Sequence, residues 1–169
     1  MLETNVTVFH VALVLATFLC SLVAGFLFAF AAVIMPGIRS LDAGGFIRAF
    51  QVIDRVIQNN QPLFVLMWVG SVFALIAASV LGLAVLSGAD RLLISVAAAV
   101  YLLCVQLPTL TINIPLNNML QKLELGSMDE MMRKRSREAF ESRWNRWNII
   151  RTACASLVSI VLLLLLVRV

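Results

Sequence analysis

Four long apolar stretches divide the chain. A bilayer core about 30 Å thick is crossed by about 20 mostly apolar residues in a helix. Stretches of at least that length run from Val6 to Ile38, from Pro62 to about Leu86, from Arg91 to about Asn113 and from about Trp147 to Val167. Because a helix satisfies its own backbone hydrogen bonds in hydrocarbon, the pattern predicts an all-α, polytopic membrane protein, a four-helix bundle forming one domain over residues 1–169.

An additional helix is predicted between the first and second spans. Apolar residues there recur at steps of four, three and four, the spacing of one helical face. That face carries Phe46, Phe50, Ile53 and Ile57, and the opposite face carries Arg48, Gln51, Arg55 and Gln58. The pattern predicts an amphipathic helix lying in the membrane interface.

Capping signals indicate where two other helices begin. Asp90 is expected to cap the third span, and the segment from Ser127 to Glu130 matches a capping box. No helix breaker follows Glu130, so a helical extension is expected to precede the fourth span and to run into it.

Composition agrees with a membrane location. Apolar residues make up 62% of the chain, charged residues 13%, and the mean hydropathy is +0.99. In a soluble domain about half of the residues are apolar and about a quarter are charged. The composition therefore excludes a soluble globular protein and a disordered one. The first span has 33 uncharged residues, preceded by Glu3 and no Lys or Arg. It is therefore expected to be retained as a membrane helix and not cleaved as a signal peptide.

Basic residues fall unevenly on the two sides of the membrane. Eleven of the thirteen Lys and Arg residues lie on the two long loops and adjoining helix ends, and only Arg91 and Arg168 lie on the other side. Cytoplasmic segments carry such an excess. Both long loops, with the amphipathic helix and the helical extension, are thus expected in the cytoplasm and both termini outside. The expected partner is the lipid bilayer, since no basic run interleaved with aromatics predicts nucleic-acid binding.

Polar residues inside membrane spans are costly and face the bundle interior or a cavity. Gln106, Thr109, Asn113 and Asn117 recur along one face of the third span, although Pro108 and Pro115 are expected to bend it. Trp144, Asn148, Arg151 and Thr152 recur at the start of the fourth. Residues expected at the same depth are Met35, Pro36, Gln51 and Arg55. Together they predict a site for a flat, lipophilic, partly polar molecule. The alternative is that the amides only join the helices to one another.

Small residues form two further stripes, which allow close helix approach within the bundle or in a homo-oligomer. One stripe comprises Ser21, Gly25, Ala29 and Ala32, and the other comprises Ser71, Ala78, Ser79 and Gly82.

Cofactor sites are limited by the scarcity of metal ligands. His10 is the single histidine, so one chain cannot supply a multi-histidine iron or copper site or a bis-histidine haem site. No metal site and no cofactor are predicted, although a haem shared across a subunit interface is left open. No Ser-His-Asp set or phosphate-binding loop occurs, which argues against hydrolysis and nucleotide chemistry.

Five ordered motifs resemble those of a known family. They are Gly25–Phe28, Val33–Gly37, Phe46–Gln51, Asn113–Asn118 and Arg143–Thr152. This pattern is similar to a family of small four-helix membrane proteins named for anthrone oxygenases. The resemblance covers nearly the whole chain and implies oxidation of an anthrone to an anthraquinone without metal or flavin. The pattern is that of the bacterial members, which implies the bacterial inner membrane.

The resemblance also implies roles for the polar residues. Arg151 would stabilise negative charge that develops on the substrate, as preorganised cations do, and Asn113, Asn117 and Asn148 would bind ring oxygens. Trp144 or Trp147 would stack on the rings, and the remaining expected substrate contacts are Gln106, Gln51, Arg55, Met35 and Pro36. No persuasive general base is found: Asp54 and Glu141 are the nearest carboxylates, so proton loss to water is allowed.

Two functional classes follow from these observations. The first is a membrane-embedded oxygenase that acts on an anthrone- or quinone-like molecule near the cytoplasmic leaflet. The alternative is a non-enzymatic ligand-binding or accessory subunit of a larger membrane complex. Oxygen-dependent consumption of a bound aromatic molecule would separate the two.

Overall fold

A computed structural model describes residues 2–169 of the chain, with side chains from residue 6 onward. In this part of the chain there are five long helices and no strand. The helices are α1 (Val6–Arg39), α2 (Ala43–Gln58), α3 (Pro62–Val85), α4 (Gly88–Gln121) and α5 (Glu130–Arg168). All except α2 are long and apolar enough to cross a membrane. The predicted all-helical, multi-pass membrane fold is confirmed.

Three turns of the spanning helices are widened into π turns, and each ends two residues before a proline. They are Phe30–Ile34 before Pro36 in α1, Tyr101–Gln106 before Pro108 in α4, and Thr109–Asn113 before Pro115 in α4. Proline has no backbone N–H and its ring clashes with the carbonyl of the preceding turn. A wider turn relieves that clash without ending the helix.

Both predicted helix caps are wrong. Helix α4 begins at Gly88 after Ser87, and Asp90 lies in its first turn, where it pairs with Arg168 at 3.1 Å. Helix α5 is capped by Asp129, whose carboxylate accepts a hydrogen bond from the Met132 backbone N–H at 2.7 Å. Ser127 lies in a short 3-10 turn before it (Leu125–Ser127). Asp129 is the better cap because its carboxylate also complements the positive end of the helix dipole. From there α5 runs without a break to Arg168, as expected.

The larger apolar core lies along α1, α3, α4 and α5, away from α2. Phe9 of α1 and Ile94 of α4 are fully buried, and both contact the glycine face of α3 at Gly82. Ser71, Ala78 and Gly82 of the second small-residue stripe are also buried in this core. That stripe therefore serves packing inside the chain. On α1, Gly25 and Ala32 of the first stripe are exposed.

A second core joins α2 to the ends of α1, α4 and α5. Phe46 and Phe50 of α2 pack against Phe140 of α5, with ring centroids 6.2 and 4.6 Å apart. Arg137 of α5 secures the preceding loop by donating hydrogen bonds to the carbonyls of Arg39 and Leu41. Helix α2 is amphipathic, as predicted, and its buried side faces the bundle.

Candidate functional site

A cavity of about 140 Å³ lies where the five helices converge, beside α2. It is called the site cavity below. An engineered cavity of roughly 150 Å³ binds benzene, so the site cavity has room for about one aromatic ring. Its lining residues, in chain order, are Phe26, Leu27, Phe30, Phe50, Asp54, Ile57, Phe64, Trp68, Thr109, Asn113, Ile114, Asn117, Trp144, Asn148 and Arg151.

Among the side chains that the structure describes, Arg151 is a buried cation with no anionic partner. Its side chain is 3% exposed, and its guanidinium donates from Nη1 to Thr109 Oγ1 at 2.9 Å and from Nη2 to Asn148 Oδ1 at 3.0 Å. The Nε–H has no acceptor, and within residues 6–169 no ion pair includes Arg151. An unpaired charge in a low-dielectric interior costs several kcal/mol. The cavity beside Arg151 is therefore electrostatically suited to an anion.

Asn113 supplies a second set of unused hydrogen-bonding groups. It is buried at the end of a π turn, and neither its amide nitrogen nor its amide oxygen has a partner among the described residues. Asn148, in contrast, donates to the carbonyl of Leu27 at 3.2 Å and accepts from Arg151. Buried amides are normally satisfied. A polar ligand atom in the cavity would satisfy Asn113 as either donor or acceptor.

Asp54 of α2 provides a buried carboxylate on the cavity wall. The residue is 2% exposed, and its Oδ1 accepts from Asn117 Nδ2 at 2.8 Å. Its Oδ2 accepts from Gln58 Nε2 at 2.7 Å and from Gln121 Nε2 at 3.0 Å. Burial raises the pKa of Asp54 above its ordinary value of 3.8, and the three amide hydrogen bonds offset part of that rise.

Two indole rings form rigid aromatic walls. Trp144 donates from Nε1 to Asn117 Oδ1 at 2.8 Å, so Asn117 joins the indole to Asp54. The guanidinium carbon of Arg151 lies 5.9 Å from the centre of the same indole. Trp68 donates to Gln106 Oε1 at 2.9 Å and stacks on Phe64 at 5.5 Å. Both N–H groups are thus occupied, and a ligand would contact these indoles through ring surface that Phe64 and Phe140 leave uncovered.

Five of the residues expected at the site line the cavity together: Arg151, Asn148, Asn113, Asn117 and Trp144. Six others do not line it. Gln106 holds Trp68, and Gln51 donates to the carbonyls of Leu120 and Leu123 at the end of α4. Met35 and Pro36 line a separate groove beside Asn148. Arg55 is exposed and Trp147 is half-buried, and neither lines the site cavity.

Sequence reasoning named Asp54 only as a nearby carboxylate, and it did not single out Trp68 or the phenylalanines of the wall as site residues. For Asp54 a signal was present. It lies four residues after Phe50 and eight after Phe46, so it continues the apolar face of α2. A carboxylate on the buried face of an amphipathic helix is a candidate functional group.

Metal ligands are sparse. No three His, Cys, Asp or Glu side chains lie close enough together to hold a metal ion, as far as the described residues extend. The three cysteines, Cys20, Cys104 and Cys154, are free thiols within the spanning helices.

Comparison with known proteins identifies the family. No curated protein and no solved structure matches this chain. A family profile described as anthrone oxygenase matches residues 55–162, nearly two-thirds of the chain. The matched segment contains Asn113, Asn117, Trp144, Asn148 and Arg151, which meet in the site cavity. The resemblance found in the sequence motifs is confirmed: the chain belongs to the anthrone oxygenase family.

Proposed function

We propose that this protein is a membrane-embedded oxygenase that binds a lipophilic, anthrone- or quinol-like aromatic molecule as its anion and promotes its reaction with dioxygen. One observation carries the proposal: the buried, unpaired guanidinium of Arg151 borders a cavity with aromatic walls. Residues that only join helices to one another are expected to have satisfied hydrogen bonds. Arg151 and Asn113, by contrast, retain unused donors and acceptors.

The proposed chemistry begins with proton loss from the substrate. An anthrone has a methylene group between aromatic rings, and removal of one proton gives a delocalised carbanion whose charge reaches the ring oxygen. Arg151 stabilises that charge at low dielectric, which lowers the free energy of the anion relative to the neutral ring. Asn113 hydrogen-bonds the ring oxygen, and Trp144 contacts the ring face.

The anion then reduces dioxygen directly. Electron transfer to dioxygen and recombination form a carbon–oxygen bond as a peroxide, whose O–O bond breaks with loss of water. The overall change is CH₂ plus O₂ to C=O plus H₂O, so the substrate supplies all four electrons. Dioxygen is apolar and can reach the cavity through its phenylalanine wall. We therefore propose cofactor-independent chemistry.

Asp54 is the proposed general base. Its carboxylate borders the same cavity as Arg151 but is not ion-paired with it. The raised pKa of Asp54 makes it a stronger base than an exposed aspartate. The three amide donors around it hold its oxygens in place, and Asn117 connects it to Trp144. This assignment selects Asp54 from the two carboxylates, Asp54 and Glu141, that the sequence placed nearest to the site.

We further propose that the protein lies in a bacterial inner membrane with the site near the cytoplasmic leaflet and both termini outside. The excess of basic residues at the end that carries α2 supports this orientation.

Replacement of Arg151 by methionine tests the function. The protein, reconstituted in nanodiscs, is mixed with 1,8-dihydroxyanthrone in air, and oxygen uptake and quinone absorbance are followed against empty nanodiscs. The wild type and the matched control R135M, which changes an exposed arginine of α5, should accelerate oxidation. R151M should lower that acceleration by about 10²-fold or more, the cost of losing one preorganised charge-stabilising group.

The fold should survive this substitution. Methionine removes an unpaired buried charge, so the thermal stability of R151M should equal or exceed that of the wild type by about 1–3 kcal/mol. An R151M protein that is folded and fully active would contradict the oxygenase assignment. Wild-type binding of the anthrone without turnover would support the ligand-binding alternative instead.

A further inference from the structure

A second, larger concavity adjoins the site cavity on the outer surface of the bundle. It is a groove of about 460 Å³ between α1, α2 and α3, called the side groove below. Its walls are Phe26, Val52, Ile53, Val56, Ile57, Gln61 and Phe64. Phe26, Ile57 and Phe64 also line the site cavity. The two spaces therefore share one wall of three apolar side chains.

The chemistry of the side groove differs from that of the site cavity. Gln61 is its one polar residue, and that amide accepts a hydrogen bond from the backbone N–H of Phe64. No charged side chain lines it. The site cavity, by contrast, contains Arg151, Asp54 and Asn113. An occupant of both spaces would have a polar, ionisable part at one end and an apolar part at the other.

The side groove is open towards lipid. Val52 and Val56 of α2 are 53% and 56% exposed, and the neighbouring start of α3 exposes Leu63 and Leu66. Helix α3 is a membrane span that begins at Pro62. Exposed apolar side chains on a membrane span contact lipid acyl chains and not water.

We propose that the side groove is the lateral entrance from the bilayer to the site cavity, and that it holds the aliphatic chain of the substrate. The substrate class is a hydroquinone whose ring occupies the site cavity and whose alkyl or isoprenoid chain extends through the groove into lipid. Its oxidation breaks both O–H bonds and passes two electrons and two protons to dioxygen, which gives a quinone and hydrogen peroxide. This inference rests on the proposed function. It extends the proposed function, because the site cavity alone has room for about one ring, and any further ring or chain would lie in the side groove.

A pair of hydroquinones that differ only in the chain tests this proposal. Methylhydroquinone and decylhydroquinone are titrated into the nanodisc-embedded protein under argon, and dissociation constants are measured calorimetrically. The variant V56W fills the side groove at an exposed position, and V52W repeats the test at a second one. The control V80W adds the same indole to an equally exposed position of α3, outside both spaces.

The wild type and V80W should bind both hydroquinones. V56W and V52W should weaken binding of decylhydroquinone by about tenfold or more and leave that of methylhydroquinone within about twofold. If V56W changes the dissociation constants of the two hydroquinones equally, or changes neither, the proposed entrance is wrong. If the wild type binds methylhydroquinone but not decylhydroquinone, the chain assignment fails while the proposed function stands. If it binds neither probe and no anthrone, both fail.

Discussion

Polar side chains in the membrane domain have two kinds of surroundings. Gln51 and Gln106 have partners that join helices, since they reach the carbonyls of α4 and the Trp68 indole. Arg151 and Asn113 keep unpaired atoms in a cavity. At the residue scale, the unpaired atoms of Arg151 and Asn113 border the site cavity, whereas the unpaired Nε2 of Gln106 belongs to a residue that does not line it. The structure thus brings some of the predicted polar residues to the cavity wall and places others between helices.

Asp54 gives a prediction about pH. A general base acts when deprotonated, so the initial rate of anthrone oxidation should rise as pH rises through the pKa of Asp54, which burial places above 3.8. D54N should lose this pH-dependent limb and lower the rate by about 10²-fold or more. The control is D129N, because Asp129 caps α5 outside the cavity and asparagine also caps helices. A D54N rate equal to that of the wild type would show that water or the substrate itself accepts the proton.

At the element scale, prolines decide which way the polar stripe of α4 points. Gln106, Thr109 and Asn113 share a face on a regular helix, yet Gln106 meets Trp68 while Thr109 accepts a hydrogen bond from Arg151. Each π turn contains about one extra residue, which rotates the following side chains by roughly 100° relative to an unbroken helix. Gln106, at the end of the first π turn, leaves the stripe, whereas Thr109, Asn113 and Asn117 still line the same cavity.

The glycines of α1 and α3 predict opposite responses to a larger side chain. A Cβ at Gly82 would lie 3.3 Å from Phe9 and 3.4 Å from Ile94, whereas a Cβ at Gly25 meets nothing within 4 Å. G82L should therefore lower thermal stability by about 1–3 kcal/mol through overpacking. G25L should leave it unchanged or slightly higher, since leucine favours helix over glycine. Thermal unfolding in detergent measures both, and equal midpoints would contradict the observed packing of α1 on α3.

At the scale of the whole molecule, α2 converts a simple four-helix bundle into one with a closed end. Its aromatic face packs on α5 and its Asp54 reaches the site, so one amphipathic helix supplies part of the core and part of the cavity wall. The opposite end of the bundle is held by Arg168 with Asp90 and by a hydrogen bond between His10 and the Val169 carbonyl. The site cavity thus lies at the end of the bundle that carries α2.

The orientation of the protein in the membrane can be tested by chemical labelling of its lysines. Lys122 and Lys134 are the only two in the sequence, and both lie exposed at the end that carries α2. A membrane-impermeant amine reagent should label them in inverted inner-membrane vesicles but not in intact spheroplasts, because basic segments stay cytoplasmic. Peptide mass mapping locates the label. Labelling of both lysines from outside the spheroplasts would reverse the proposed topology.

Local patterns determined the membrane class, the four spans and the amphipathic helix, because hydropathy and periodicity are properties of neighbouring residues. They also singled out Arg151, Asn148, Asn113, Asn117 and Trp144, since a polar side chain in an apolar span is conspicuous wherever the helix packs. Sequence spacing could not place Gln106 or Met35 relative to the cavity, because proline-induced π turns and helix rotation change which side each presents.

Only the tertiary structure decided which polar groups are satisfied and which are left for a ligand. Asn117 meets Asp54 across 63 positions of sequence, and Asn148 reaches the Leu27 carbonyl across 121. The same holds for the burial of Asp54, which depends on α2 docking against α4 and α5. Hydrogen-bond partners and burial depend on how helices that are far apart in the sequence pack together. The side groove next to the site cavity arises from the same packing. The chain thus specifies its membrane helices locally and its candidate chemistry only once they are assembled.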